Sequence, residues 1–254
     1  VDLLDLLPRL LFREFSAIPP NHLRIRIGVG NRIFGNQVAF LAEATKFWIH
    51  FLNAGIFRLD STIVDIGCGC GRYAQFLRDY RYKSEVFTGR YVGIDVDHEM
   101  LDWCKNHFDS LRFEFHRSTH SSRAYRANAD GNSYYKLPVN DSSTDFVFSV
   151  SLFTHLLENE MVNYCRESWR VLKPGGHMVM YFFSIDHPPP TYGDRHTFKY
   201  QIGQAFVESA SIPEAAVAYR EEFMLSAARQ GGFDAPEVRV APGDWQPILF
   251  CRKG

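Results

Sequence analysis

A chain of 254 residues, 46 % hydrophobic and 22 % charged, carries enough apolar material for one full core, and its length does not demand a second domain. A formal net charge of -1 argues against a protein built to coat nucleic acid or an anionic membrane. Five cysteines without a repeating spacing speak against a disulfide framework and for a reducing, cytoplasmic setting, and no apolar run is long enough for a membrane span.

Residues 1–17 form a leucine-rich amphipathic stretch interrupted by Pro8. It reads as one or two short helices lying against the body, with contact to a membrane surface as the lesser alternative. Asp2, Asp5 and the lack of a basic leader argue against a secretion signal. Pro19 to Gly30 reads as an extended segment with Arg24 and Arg26 on one side of an alternating pattern. Arg24, Arg26 or Arg32 are candidates to close over an anionic group, or else are solvated charges on an edge. Gln37 to Asn53 is a helix with Gly55 as its stop.

The sequence Ile63-Val64-Asp65-Ile66-Gly67-Cys68-Gly69-Cys70-Gly71-Arg72 reads as a buried strand entering a glycine-rich turn and a helix N-terminus. Such a turn brings a ligand against bare backbone, because glycine has no Cβ and takes positive φ freely. The details choose among ligands. A dinucleotide fingerprint needs a third glycine at position 72, where Arg72 stands, and a P-loop needs Gly-Lys-Ser/Thr, which is absent. Asp65, just before the first glycine, would repel a pyrophosphate but attract an ammonium and a sulfonium. Cys68 and Cys70 read as small packing residues rather than metal ligands.

Tyr91 to Asp95 is a second strand ending in an acid, the usual partner of two ribose hydroxyls, and 97–108 is its helix. Strand three falls at about 111–115, and a polar loop covers 116–136. Strand four is about 145–151, a helix runs from Glu158 to Leu172, and Lys173-Pro174-Gly175-Gly176 stops it before strand five at 177–183. Residues 184–212 read as a loop and cap, Ala215 to Gln230 as a helix, and Pro236–Ala241 with Pro247–Arg252 as a closing antiparallel hairpin. Alternating strands and helices of these lengths demand a parallel sheet with right-handed crossovers, its ligand beyond the strand carboxyl ends.

Asp-x-Gly-x-Gly-x-Gly, the acid of strand two, Leu137-Pro138-Val139-Asn140-Asp141 with strand four, and Arg170-Val171-Leu172-Lys173-Pro174-Gly175-Gly176 occur in this order over residues 60–183. In this combination the chain resembles the class I S-adenosylmethionine-dependent methyltransferases, of the bacterial small-molecule type. Pro19-Pro20 followed by Leu23 and Arg26 also resembles the lead-in of some of these enzymes. The resemblance implies a Rossmann-like, doubly wound, mostly parallel seven-stranded sheet with one antiparallel strand. To this it adds a helical N-terminal extension or lid over residues 1–58 and a core over 59–254 with the cap after strand five. It implies S-adenosylmethionine as cofactor, with Asp65 on the methionine ammonium and Gly67, Cys68 and Gly69 along the methionine. Asp95 would take the ribose, Val96 and Met100 flank the adenine, and Ser149 offer its carbonyl near the ammonium. Where the family often uses an acid on the adenine amino group, Ser118 or Thr119 stands here, so a hydroxyl or carbonyl is expected instead.

Methyl transfer from a sulfonium needs alignment, and a base when the acceptor holds a proton. His155, just past strand four, is the candidate base; the competing role is structural. Asp186, His187, Asp194 and His196 are polar residues of the cap whose spacing matches no metal motif. The expected acceptor is a small molecule, a sugar or secondary metabolite, methylated on oxygen or nitrogen, and the high aromatic content suits either core packing or an acceptor pocket. The rivals are a non-catalytic cofactor-binding partner subunit and an NAD-dependent oxidoreductase. A nucleic-acid methyltransferase is disfavoured because Ser149-Val150-Ser151-Leu152 replaces the Asn/Asp-Pro-Pro-Tyr/Phe motif.

Overall fold

The computed structural model describes residues 2–28, 35–81, 84–118, 135–150, 152–191, 195–240 and 245–254. The chain groups into two compact units, Val1–Ser61 with Cys68–Arg117, and Thr62–Gly67 with Ser118–Gly254. Strands β1 (Thr62–Ile66), β2 (Arg90–Asp95), β3 (Phe113–Arg117), β4 (Thr144–Ser149), β5 (Leu172–Tyr181), β10 (Glu237–Arg239) and β11 (Ile248–Arg252) form a seven-stranded sheet in the order β10-β11-β5-β4-β1-β2-β3. Its recorded pairings are parallel except those of β11, which runs antiparallel to both neighbours. This is the doubly wound sheet with one reversed strand that the sequence pattern implied.

In the first unit, α1 (Asp2–Leu11), α2 (Arg13–Ser16), α3 (Asn21–Arg24) and α4 (Gln37–Asn53) precede α5 (Arg72–Asp79) and α6 (His98–His107). Helix α4 buries Phe40, Ala44, Phe47, Trp48 and Phe51, spaced so that they share one face, and Trp48 Nε1 donates to the Tyr73 carbonyl of α5 at 2.9 Å. It stops as expected at Gly55 (φ +67°), where the Gly55 N–H bonds the Leu52 carbonyl and the Ile56 N–H the Phe51 carbonyl.

Three expectations for the N-terminal region are corrected. Pro8 does not break α1, which continues through it to Leu11, the Phe12 N–H bonding the Pro8 carbonyl at 3.0 Å. Nor does α1 lie on the leucines of its later turns: Leu7 and Leu10 are 64 % and 74 % exposed, while Asp5 is buried. A buried ion pair turns the helix this way round. Arg24, fully buried, donates to Asp5 Oδ1 at 2.7 Å and Oδ2 at 3.2 Å, to Asn36 Oδ1 at 2.7 Å and to the Pro19 carbonyl, and Gln37 Nε2 adds a bond to Asp5 at 2.6 Å. Residues 21–24 are accordingly helical, not extended, and Arg24 is a structural charge rather than a solvated edge residue.

In the second unit, α7 (Glu158–Val171) and α8 (Glu221–Gly231) flank the strands. After β5 the chain forms a second, four-stranded sheet: β6 (Phe183–Ser184), β7 (Tyr200–Ile202), β8 (Ala205–Val207) and β9 (Val217–Tyr219), in the order β6-β9-β8-β7. Strand β9 takes residues expected to be helical, and α8 begins only at Glu221. Pairing of Ala218 with Phe183 on one side and Phe206 on the other outweighs the local helical preference.

Removing one partner of a buried pair leaves an uncompensated charge, so Arg24→Ala is expected to cost about 3–5 kcal/mol in urea denaturation. Burial alone would raise the Asp5 carboxyl, but the hydrogen bonds and charge of Arg24 outweigh it and hold it below the usual carboxylate range. The stability that this pair contributes is therefore complete above the ordinary aspartate pKa and is lost as pH falls through the lowered one. Acid titration of the wild type against Arg24→Ala should show that loss in the wild type alone.

Candidate cofactor site

In the first unit the site begins where the glycine turn meets the end of β2. The Cys68 N–H bonds the Ile94 carbonyl at 3.0 Å, and the Gly69 N–H bonds Asp95 Oδ2 at 2.7 Å. Asp95 Oδ1 accepts the Asp97 N–H at 2.9 Å, and Asp97 in turn caps α6 by accepting the Met100 N–H at 3.2 Å. Gly69 (φ +52°) and Gly71 (φ +78°) occupy the left-handed region, and Gly71 is the residue from which α5 starts. A Cβ on Gly69 would lie 2.7 Å from Ile27 Cγ2 and 3.7 Å from the Met100 sulfur. Burial pushes the Asp95 carboxyl up, and the N–H groups of Asp97 and Gly69 pull against it. A carboxylate has about four lone-pair directions, and Gly69 and Asp97 take one on each oxygen here.

In the second unit, β1 ends with Asp65 buried and in register with Phe148 of β4. Gly67 (φ +85°) lies so close to the following loop that a Cβ would approach Leu152 Cβ to 3.1 Å. At the carboxyl end of β4 the Ser149 hydroxyl is fully buried and has no hydrogen-bond partner among the described residues. A buried hydroxyl without a described partner, beside a glycine in the left-handed region, suits a polar ligand lying on backbone.

His155 stands in the turn after β4. Its Nδ1 lies 2.8 Å from the Glu214 carbonyl, so this nitrogen carries the proton, and burial lowers the imidazole pKa against the opposing pull of the Glu214 and Ala215 backbone. The Val217 N–H bonds the Thr154 carbonyl at 2.7 Å and Tyr219 Oη the Leu156 carbonyl at 3.0 Å, which fastens this turn to β9.

Val96 is half-buried and Met100 buried against Cys70, Ile18, Leu23 and Phe40. The Cys68 side chain faces inward, its sulfur 2.9 Å from where a Cβ on Gly93 would stand, so only its backbone borders the turn. Burial pushes the Cys70 thiol up to about 12 and keeps it protonated. Thr119, Arg32, His120 and Asp194 lie outside the described residues. Asp186 accepts from Arg220 and from the Glu221 N–H at the start of α8, and His187 pairs with Glu221 at 2.6 Å. His196 sits apart, its ring 5.0 Å from Phe183 and 5.6 Å from Trp245. Two participants escaped the sequence reading, the apposition of Ile27 to Gly69 and the pairing of Arg26 with Asp97 and Glu99. The Pro-Pro-Asn sequence before Leu23, a helix-start signal, would have bent the segment toward the turn.

Residues 64–180 match the protein family described as a methyltransferase domain. A protein of Pyrococcus horikoshii aligns with TM-score 0.57 at 18 % identity, over 88 % of this chain and 97 % of that one. An S-adenosylmethionine-dependent methyltransferase of Methanosarcina mazei aligns with TM-score 0.53 at 20 % identity, over 80 % and 96 %. A chain from the Haloferax volcanii complex between the Trm112 methyltransferase activator and a methyltransferase aligns with TM-score 0.52 at 18 % identity, over 84 % and 96 %. At these identities the solved structures establish the fold. Residues 64–180 thus match a methyltransferase domain, and the motif order and sheet topology agree with the class I S-adenosylmethionine-dependent methyltransferase fold that the sequence resembles.

Proposed function

We propose that the protein transfers a methyl group from S-adenosylmethionine to an oxygen or nitrogen of a small molecule, a sugar or other secondary metabolite, in the cytoplasm. The observation that carries the cofactor half of this reading is Asp95: two backbone N–H groups fix its carboxylate and leave it the capacity for two vicinal hydroxyls. Asp65 receives the ammonium, Gly67, Cys68 and Gly69 give backbone along the methionine, and Ser149 adds its carbonyl and its unspent hydroxyl. Val96 and Met100 flank the adenine, with Thr119 on the side of its amino group. The near-neutral charge and Ser149-Val150-Ser151-Leu152 at the end of β4 favour a small acceptor over nucleic acid.

When bound, the cofactor supplies a methyl on a sulfonium whose leaving group needs no proton. The chain's own work is to align the acceptor, exclude water and take up the acceptor's proton. His155 is the base in this reading. With Nδ1–H donated to the Glu214 carbonyl, the neutral imidazole carries its lone pair on Nε2, and the lowered pKa keeps it neutral at pH 7.

Calorimetry should find that Asp95→Ala weakens S-adenosylhomocysteine binding by about 1–3 kcal/mol, the worth of its charged hydrogen bonds. Tight NAD binding without S-adenosylhomocysteine binding would reverse the assignment, and cofactor binding without turnover over a broad acceptor panel would make the chain a non-catalytic partner. His155→Ala should cut turnover far more than cofactor affinity, and the acid limb of the wild-type rate profile should fall below the ordinary histidine range. Unchanged turnover in that variant removes the base.

A further inference from the structure

Arg24 is consumed by the core, but Arg26 points the other way and does something different. It pairs with Asp97, the N-cap of α6, and with Glu99 in the first turn of the same helix, and His22 stands 3.3 Å from the other Glu99 oxygen. The next residue, Ile27, is pressed so closely on the glycine turn that a Cβ on Gly69 would sit 2.7 Å from it, and its carbonyl accepts a bond from Arg72 at 3.1 Å. The two ends of this short segment are held by unlike forces. Its beginning is set in the interior through Ile18, Leu23 and the buried Arg24. Its outer end is held by charges nearer to water: the side chains of Arg26 and Glu99 are 39 % and 51 % exposed, and that of Asp97 18 %.

We infer that residues 25–28 are a strap over the glycine turn, that Arg26 closes it, and that this arginine is a positioning residue governing how fast the nucleoside cofactor exchanges. The inference rests on the cofactor reading proposed above. Exposed ion pairs are individually weak and are screened by salt, so the outer end opens far more often than the inner one. Lifting Ile27 uncovers the backbone at Gly69. Closing the strap has a second effect: one Asp97 oxygen holds Arg26, the other holds the Met100 N–H, and the Asp97 N–H holds Asp95. Arg26 therefore steadies the loop that ends in the hydroxyl-binding carboxylate without itself touching a ligand.

Labelled S-adenosylmethionine, chased with unlabelled S-adenosylhomocysteine, tests the strap in the wild type, Arg26→Gln and Arg26→Lys at low and high salt. Wild-type release should quicken with salt. Arg26→Gln should release about five- to ten-fold faster at low salt, as two lost surface pairs allow, and respond little to further salt, while Arg26→Lys restores part of both behaviours. Wild-type rates and wild-type salt response in Arg26→Gln would overturn the strap. Hydrogen exchange of the ligand-free protein keeps the two readings apart. Exchange over residues 21–28 that neither salt nor Arg26→Gln accelerates would sink the strap whatever binds, whereas a wild type that retains no labelled cofactor would sink the cofactor reading.

Discussion

The carboxylate of Asp95 organises the glycine turn of the first unit. It joins three pieces of chain that arrive from different directions: the glycine turn through the Gly69 N–H, the end of β2 that bears it, and the start of α6 through the Asp97 N–H. Each bond satisfies a backbone donor that has no helix or strand partner of its own, at a place where burial already penalises the charge. The result is an acid held in one orientation before any ligand arrives. Preorganisation of this kind lowers the ordering cost of binding, which is where much of an affinity is otherwise lost.

Around that point the sequence was largely readable because the constraints are local. A strand that ends in an acid and turns through glycines at alternate positions has few other ways to fold, and β1, β2 and α6 fall within a residue or so of where the pattern puts them. Strand β3 begins two residues later than its apolar content suggested: Leu111 is 88 % exposed in the preceding turn, and the alternation that matters starts at Phe113. The Lys173–Gly176 stretch, read as a helix stop, lies inside β5 as a bulge. Leu172 pairs with Thr144 and His177 with Phe146, so these four residues fall between successive partners.

What stayed illegible depends on contacts between residues distant in sequence. Nothing in the order of residues near Arg24 says that Asp5 will meet it, and the pair turns α1 so that Leu6, Leu7, Leu10 and Leu11 face outward, against the ordinary expectation for an amphipathic helix. The same holds for Val217–Tyr219, whose neighbours in β6 and β8 convert a plausible helix turn into strand. Candidates declared by chemical type, such as Asp65, Asp95 and Ser149, could be named in advance. Those that act by apposition, Ile27 above all, required coordinates.

All five thiols are free and buried, and those of Cys70, Cys165 and Cys251 are driven above their ordinary titration range by burial. A protonated, enclosed thiol reacts with neither alkylating agents nor oxidants until the surrounding structure parts. The chain thus contains its own set of clocks: the rate at which each sulfur becomes modifiable reads out how often its neighbourhood comes open, and Cys70, set against Met100 and Leu23, times the region beside the glycine turn.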